Sequence, residues 1–201
     1  MENFEILKEN LINRGFSVNI ADSRDEAVEL LKQLIPESAS IGLPGTVTIR
    51  GLGIIEELKK SGSQIIDTWE EENPLRRHEQ LNADVVLTSV NAITLDGLLV
   101  NLDGTGNRVA SMCYGPKMVV AVVGSNKITK NLEDAIYRTK NVAAPLSYQR
   151  KNSRTPCAKT GVCHDCKTIK TKQCRVMVIH EGRPRGINEF HIILVKAELG
   201  Y

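Results

Sequence analysis

The sequence predicts an α/β fold in which a mostly parallel sheet is flanked by helices. Segments with helical spacing alternate with short apolar segments along the chain, as expected for parallel strands joined by helices. Two of the apolar segments, 83–89 and 118–123, are almost continuously apolar, which is typical of strands buried on both faces. At 201 residues the chain is long enough to bury a substantial core. We therefore expect one domain over residues 1–201.

The remaining elements follow the same alternation. Ser23 and Glu26 form a capping box, in which each side chain satisfies a free backbone N–H, and Pro36 follows the end of that helix. Residues 130–142 have helical spacing, and Arg76 lies at the start of another predicted helix. In chain order, the other predicted elements are a helix at 2–14, strands at 16–20 and 38–42, a helix through Leu52, Ile55 and Leu58, and strands at 64–67, 176–179 and 190–195.

A β-hairpin followed by a glycine-rich loop is predicted over residues 91–108. The pair Asp96-Gly97 lies between strand-like flanks and tolerates the positive φ angles of a tight type I′ turn. The second strand runs into a loop in which Gly104 and Gly106 would let the backbone approach a ligand and present its N–H groups. The loop after the hairpin is therefore the predicted ligand site.

The side chains of this loop favour a small anionic ligand. A guanidinium such as that of Arg108 can hold a carboxylate or a phosphate through two parallel hydrogen bonds. Asp103 supplies a carboxylate beside it, and we predict Asp103 and Arg108 as the catalytic residues. The ligand-binding residues predicted with them are Asn91, Asn101, Gly104, Thr105, Gly106 and Asn107. A polar turn whose side chains satisfy its own backbone is the alternative interpretation.

A second candidate loop covers residues 42–48, between a predicted buried strand and a helix. Ligands of open α/β sheets lie beyond the carboxyl ends of the strands, and helix N-termini favour anions. Gly45, Thr46 and Thr48 would supply the contacts. The loop lacks the closing Gly-Lys-Ser/Thr of a Walker loop and is not a dinucleotide fingerprint. A structural turn before a helix is the alternative.

Four cysteines lie within a basic segment at 147–175 that is long for an unstructured loop. Cys157, Cys163, Cys166 and Cys174 have the spacing Cys-x5-Cys-x2-Cys-x7-Cys. Four thiolates are the ligand set of an iron–sulfur cluster or of tetrahedral zinc, and His164 could replace one of them. A solvated basic loop with reduced thiols is the alternative interpretation.

The composition excludes several classes of partner. The net charge is +2, from 26 basic and 24 acidic residues, and aromatic residues make up 4%, so we do not expect a nucleic-acid partner. The N-terminus does not resemble a signal peptide, and no apolar run approaches the ~18 residues of a membrane span. We therefore expect a cytoplasmic protein with reduced cysteines. Residues 70–72 are three glutamates, for which we predict a solvated turn.

Several motifs resemble the signature of the lactate-utilisation (LUD) domain family. The resemblance covers roughly residues 40–201 and is most specific at 91–108. It rests on strand 83–89, Asn91-Ala92-Ile93-Thr94, Asp96-Gly97, the run from Asp103-Gly104-Thr105-Gly106-Asn107-Arg108 to Ala110, Tyr114-Gly115-Pro116-Lys117, Val123-Gly124, Asn126-Lys127, Ala143-Ala144-Pro145 and Thr155-Pro156-Cys157. The loop at 42–48 departs from the family, which often has Gly-Gly-Ser followed by Thr and Leu. Pro44 there removes one N–H donor.

The resemblance implies a fold like that of the sugar-phosphate isomerases and CoA transferases, with a ligand cleft at the strand ends. It also implies an accessory protein of lactate or organic-acid oxidation that works with redox partner proteins, and this setting favours an iron–sulfur cluster over zinc. One alternative is an isomerase, hydrolase or transferase of a phosphorylated or CoA-linked molecule, with Asp103 or Asp84 as the general base. A non-catalytic ligand sensor is another. The sequence leaves the oligomeric state open, a homo-oligomer included.

Overall fold

The computed structural model describes residues 2–69 and 73–201, so the acidic turn predicted at 70–72 lies outside the described residues. The strands are β1 (Ser17–Ala21), β2 (Ser40–Leu43), β3 (Gln64–Asp67), β4 (Val85–Thr88), β5 (Ala92–Thr94), β6 (Leu99–Asp103), β7 (Met118–Gly124), β8 (Ile128–Thr129), β9 (Val176–His180) and β10 (Glu189–Val195). The helices are α1 (Glu2–Asn13), α2 (Arg24–Leu34), α3 (Val47–Gly51), α4 (Ile54–Lys60), α5 (Pro74–Leu81), α6 (Asn107–Cys113), α7 (Leu132–Arg138), α8 (Ala144–Arg150) and α9 (Pro156–Thr160). A 3₁₀ turn (Ser125–Lys127) follows β7, and a π-helical turn (Thr139–Ala143) joins α7 to α8.

The main sheet has six parallel strands in the order β1-β10-β7-β4-β2-β3. Every residue of β7 is buried, because β7 lies inside the sheet and both of its faces are covered. Val120 and Val122 pack into the core on one face, against residues of α2 and α4 such as Leu31 and Leu58. Val119 and Val123 pack into the core on the other face. The predicted α/β fold with a parallel sheet flanked by helices is confirmed.

A second, smaller sheet carries the hairpin. Its order is β8-β5-β6-β9, with β5 and β6 antiparallel and β9 antiparallel to β6. The helix α7 packs on this sheet, where Ala92, Val100 and Ala135 form a small core. The sheet therefore fixes the end of β6, at Asp103, beside the chain segment that precedes β9, since Asp103 pairs with Val176.

The hairpin turn differs from the predicted type I′ turn. Thr94 N–H donates to Leu98 O at 3.0 Å, and Gly97 N–H donates to Thr94 O at 2.8 Å. Of the two residues Asp96 and Gly97, only the glycine has a positive φ, +90°. The strand register pairs Ile93 with Leu99, and the hydrogen bond from Thr94 to Leu98 extends the pairing by one residue on each strand. Three loop residues, 95–97, remain, and a type I turn closed by a left-handed glycine is the usual solution for this length.

Three helical segments also differ from the prediction. The helix expected through Leu52 is divided into α3 and α4 at Gly53, whose φ of +72° is left-handed and interrupts the helix. The helix expected at 130–142 continues through the π-helical turn into α8. Pro145 lies in the first turn of α8, where the backbone N–H that proline lacks is not required. The segment at 147–175 consequently begins with the end of α8 and contains α9, while residues 161–175 form neither helix nor strand.

None of the helices in residues 2–69 and 73–201 is both long and apolar enough to cross a membrane.

Candidate functional site

A cavity of about 580 Å³ lies at the carboxyl ends of the main-sheet strands. Thr46 and Thr48 line it just after β2, Ser89 lines it just after β4, and Lys127 lines it in the turn after β7. Parallel strands end at the same edge of a sheet, so these three connections meet there. The cavity therefore occupies the place where open α/β sheets bind their ligands.

Both predicted loops face this cavity. The predicted residues that line it are Gly45, Thr46, Thr48, Asn91, Asp103, Gly104, Thr105, Asn107 and Arg108. Two residues of the predicted ligand-binding set, Asn101 and Gly106, do not line it. Asn101 is fully buried in β6, and Gly106, with a φ of +95°, is the left-handed residue that precedes α6. The structure thus brings together side chains from loops that are separated by more than forty residues in the sequence.

Arg108 is 8% exposed and is held by acceptors of the protein itself. A guanidinium has five N–H groups, and all five of Arg108 donate to oxygen atoms of neighbouring residues. The acceptors are Asp103 Oδ1 (3.0 Å), Ser89 O (3.1 Å), Asn101 Oδ1 (2.6 Å), Asn91 Oδ1 (2.8 Å) and Leu102 O (3.0 Å). In this arrangement Arg108 connects the end of β4 to the end of the hairpin, and its guanidinium has no N–H group left for a ligand.

The Asp103 carboxylate is engaged in the same network. Its Oδ1 accepts from Arg108, and its Oδ2 accepts from the backbone N–H of Val109 at 3.3 Å, inside the first turn of α6. The Asp103 backbone oxygen accepts from Arg175 N–H at 2.8 Å. Asp103 therefore positions the start of α6 and the segment before β9.

Asp84, the other carboxylate considered as a general base, is at the opposite end of the sheet. It precedes β4 and accepts from Ser40 Oγ at 2.6 Å and from Lys117 Nζ at 2.9 Å. The hydrogen bonds from Ser40 and Lys117 lower the pKa of Asp84 from 3.8 to about 2. Asp84 is not among the residues that line the cavity, and a carboxylate with a lowered pKa is a weak base.

Lys127 lines the cavity but is not among the predicted site residues. Its side chain is almost completely buried, with the residue 2% exposed. Its Nζ donates to Thr48 Oγ1 at 2.9 Å and to Ser89 Oγ at 2.8 Å. A signal was available in the sequence, because Lys127 is the first charged residue after the continuously apolar β7.

The surroundings of Lys127 disfavour its charged form. Burial, followed by the positive charges of Arg138 and Arg108, lowers the pKa of Lys127 from 10.5 to about 7. No carboxylate in the described part of the chain forms an ion pair with it. A lysine in this state can bind an anion in its protonated form or act as an amine in its neutral form.

Trp69 and Arg150 line the cavity, and a second arginine, Arg50, also stacks on Trp69. The guanidinium carbons of Arg50 and Arg150 lie 4.5 and 3.9 Å from the centroid of the Trp69 ring, within the range of cation–π interaction. Arg150 Nε also donates to the hydroxyl of Tyr201 at 2.9 Å. Gly45 has a φ of +82°, and a Cβ on it would lie 1.8 Å from Trp69 Nε1. The backbone at Gly45 thus approaches the indole too closely for any side chain.

The four cysteines of the basic segment line one smaller cavity of about 250 Å³. Cys157 is buried in α9, and Cys174 donates to the Tyr148 hydroxyl at 3.6 Å. Burial raises the pKa of Cys174, the hydrogen bond with Tyr148 lowers it, and the neighbouring cysteines raise it further. His164 lines the same cavity. Thiolates and an imidazole are donors that suit either zinc or an iron–sulfur cluster, so the donor set fits both groups.

The cysteines share this cavity without forming a preassembled metal centre. Within residues 2–69 and 73–201, no three His, Cys, Asp or Glu side chains are grouped closely enough to hold a metal ion. Cys163 and Cys166 lie in the stretch 161–175, which has neither helix nor strand to fix the positions of their thiols. Metal binding would require this stretch to rearrange.

The two cavities share a wall. The residues that line both are Leu102, Ala144, Tyr148, Gln173, Cys174 and Arg175. Tyr148 lies in α8 and contributes its hydroxyl to the hydrogen bond with Cys174. Burial, followed by this hydrogen bond, raises the pKa of Tyr148, so the phenol stays protonated at neutral pH. The uncharged side chain of Tyr148 therefore forms part of the wall between the two cavities, and Cys174 itself lines both.

Comparisons with known proteins agree with this architecture. The LUD domain model matches residues 4–195. None of the curated proteins matches the sequence. Among solved structures, the fold is similar to the crystal structure of a DUF162 family protein from Deinococcus radiodurans, with a TM-score of 0.59, 15% sequence identity and 96% of each chain covered. The likeness to this structure confirms the fold. The match of the LUD domain model to nearly the whole chain shows that this protein belongs to the LUD domain family.

Proposed function

We propose that this protein binds a small organic carboxylate in the 580 Å³ cavity and serves as an accessory protein of lactate or organic-acid oxidation. The family to which it belongs is associated with lactate utilisation. The cavity has the size of a small-molecule site and lies at the carboxyl ends of the parallel strands. An accessory role fits the engaged state of Asp103 and Arg108, which the protein uses to position its own loops.

The charge of the cavity supports an anionic ligand. Its basic residues are Arg108, Lys127, Arg150, Lys151 and Arg175, and Asp103 is the single acidic residue among the described residues that line it. Because Asp103 pairs with Arg108, the other basic groups have no carboxylate partner within the cavity. An anion entering the site would therefore meet uncompensated positive charge in a partly desolvated space.

The observation that carries the proposal is the buried Lys127. A protein rarely buries a lysine without a carboxylate partner, since desolvation of the ammonium is costly. The carboxylate of a ligand would supply the missing charge and favour the protonated form of Lys127. The binding of the ligand would in turn be strengthened, because charge-assisted hydrogen bonds contribute about 1.5–3 kcal/mol.

Isothermal titration calorimetry with L-lactate, pyruvate and inorganic phosphate tests this proposal. We expect both carboxylates to bind, and Lys127→Gln to weaken them by at least about tenfold, which corresponds to one charge-assisted hydrogen bond. Lys130→Gln is the matched control, because Lys130 is exposed and lies outside the cavity lining. Failure of both carboxylates to bind, or equal losses in the two variants, would contradict the proposal. Oxidation of L-lactate by the chain alone would contradict the accessory role.

We also propose that Cys157, Cys163, Cys166 and Cys174 hold an iron–sulfur cluster, with zinc as the alternative. The support is that all four cysteines line one cavity and that the pKa of Cys174 is raised by burial and, further, by electrostatic repulsion from the other three thiols. A bound metal would reverse that repulsion and stabilise the thiolates. When bound, a cluster would supply one-electron transfer, which suits a role beside redox partner proteins.

Anaerobic purification followed by iron, sulfide and zinc analysis tests the metal proposal. We expect Cys166→Ser to lose most of the metal, because it removes one of the four thiols. Cys113→Ser provides the control, since Cys113 lies outside the cysteine-lined cavity. Metal-free protein from the anaerobic preparation, or equal metal content in the two variants, would show that the thiols are not ligands.

A further inference from the structure

The hydrogen bonds around Lys127 have a fixed direction. Ser89 Oγ donates to Val122 O at 2.6 Å, and Thr48 Oγ1 donates to Leu199 O at 3.4 Å. A hydroxyl has one hydrogen, so each of these oxygens can only accept from Lys127. Both contacts to Lys127 Nζ, at 2.8 and 2.9 Å, therefore use hydrogens of the lysine.

This arrangement leaves one position on the nitrogen open. A neutral amine has two hydrogens and one lone pair, and the two hydroxyl oxygens of Ser89 and Thr48 accept both hydrogens. Across the described residues, Nζ has no third hydrogen-bond partner, and Lys127 lines the cavity. The lone pair of the neutral form is thus available to an electrophile in the cavity.

We propose that Lys127 is a nucleophile that forms an imine with the carbonyl carbon of a 2-oxo carboxylate bound in this cavity. The inference rests on the proposed binding of organic carboxylates and adds a covalent step to it. This step uses the neutral form of Lys127, so the carboxylate of the 2-oxo acid would be held by the other cations of the cavity, Arg150, Lys151 and Arg175. The Nζ lone pair attacks the carbonyl carbon, the C=N bond forms, and the carbonyl oxygen leaves as water with the two hydrogens of the amine. No electrons are gained or lost, so the step requires no oxidant or reductant.

The surroundings of Lys127 favour the reactive form. Desolvation and neighbouring cations are the two conditions that activate a lysine amine, and Lys127 has both, from its burial and from Arg138 and Arg108. With the pKa of Lys127 lowered from 10.5 to about 7, its neutral fraction at neutral pH is about a thousandfold larger than that of an ordinary lysine. The hydroxyl oxygens of Thr48 and Ser89 also lie beside the hydrogens that must leave with the water.

Trapping with a mild reductant tests the imine. The full chain is incubated with pyruvate and sodium cyanoborohydride at neutral pH, and the product is analysed by intact mass and peptide mapping. We expect a single adduct with the mass of pyruvic acid less one oxygen atom, located on Lys127. Labelling of Lys127 should be at least about tenfold faster than labelling of Lys130, because of its larger neutral fraction.

The variants separate this step from simple binding. Lys127→Arg retains a cation but has no amine for the imine, so the adduct should disappear, whereas Lys130→Arg should retain it. Thermal unfolding of both variants verifies that they fold. No adduct in the wild type, or an adduct that survives Lys127→Arg, would overturn the imine.

L-Lactate is the complementary ligand, because it has the carboxylate without the carbonyl. It should bind in calorimetry and give no adduct. If L-lactate binds and pyruvate is not trapped, the imine is refuted and the binding proposal stands. If neither carboxylate binds, both proposals fail.

Discussion

Replacement of Lys127 by methionine should increase the free energy of unfolding at neutral pH. The unfolded chain binds a proton at Lys127 with the ordinary pKa of 10.5, whereas the folded chain binds it with a pKa of about 7. Between these two values the unfolded state carries more protons, so the stability of the wild type rises with pH across this range. Methionine fills a similar volume and has no proton to bind, so it removes this penalty.

The magnitude follows from the size of the shift. Each pKa unit corresponds to about 1.4 kcal/mol, so the penalty on the wild type is on the order of 4 kcal/mol at about pH 7 and about 2 kcal/mol at about pH 9. The two hydrogen bonds from Lys127 to Ser89 and Thr48 are lost in the variant at every pH. They change the absolute difference between variant and wild type but leave its pH dependence unaffected.

Urea denaturation of both proteins across this pH range measures the effect. We expect the stability advantage of Lys127→Met over the wild type to fall by about 2 kcal/mol between about pH 7 and pH 9. Lys130→Met is the control, and its difference from the wild type should stay constant, because Lys130 is exposed in the folded chain. A constant difference for Lys127→Met, or one that grows with pH, would refute the assignment of a desolvated lysine.

Three further substitutions test other parts of the structure. Ser23→Ala removes the side-chain oxygen that accepts from Glu26 N–H at 3.1 Å at the start of α2, and chemical denaturation should show a loss of about 1 kcal/mol. Asp84→Asn should lower the free energy of unfolding above pH 3.8 by about 1 kcal/mol, a value discounted for solvent screening because Asp84 is half-exposed. The difference between wild type and variant should disappear as the pH falls through about 2, where Asp84 becomes protonated in the folded chain. Gly45→Ala should displace the single tryptophan, Trp69, because of the 1.8 Å approach, and a change in its fluorescence together with lower stability would be observed; an unchanged spectrum would contradict the close contact.

The fold could be predicted from the sequence because the main sheet is parallel and buried. The predicted strand at 118–123 agrees with β7, since a strand covered on both faces must be apolar throughout. The division between the two sheets could not be predicted, because β9 and β10 have similar patterns. Only the packing shows that β9 pairs with β6 in the small sheet and that β10 lies beside β7.

The location of the site could be predicted better than the roles of its residues. The loop chemistry at Asp103 and Arg108 indicated a cluster of polar groups, and both residues do line the cavity. Whether a guanidinium is free or engaged depends on acceptors that are distant in the sequence, such as the backbone oxygen of Ser89. A pattern of residue types cannot show that all five donors of Arg108 are satisfied within the protein.

The burial of Lys127 could not be predicted from the sequence either. A single lysine after a strand is usually a surface residue, and its burial results from contacts with Thr48 and Ser89, which are 79 and 38 residues away in the sequence. The spacing of the cysteines likewise predicted that they would lie together, and all four line one cavity. Their arrangement around a metal depends on residues 161–175, which no regular secondary structure constrains.

The shared wall gives the two cavities a physical connection. Tyr148 and Cys174 line both cavities, and the thiol of Cys174 donates to the hydroxyl oxygen of Tyr148 at 3.6 Å. Deprotonation of Cys174 would reverse this hydrogen bond, because a thiolate only accepts and the phenol would then have to donate. The Tyr148 hydroxyl would in that state no longer be available as a donor to a carboxylate in the larger cavity. The hydrogen bond between Cys174 and Tyr148 thus connects the cysteine-lined cavity to the ligand cavity through two adjoining side chains.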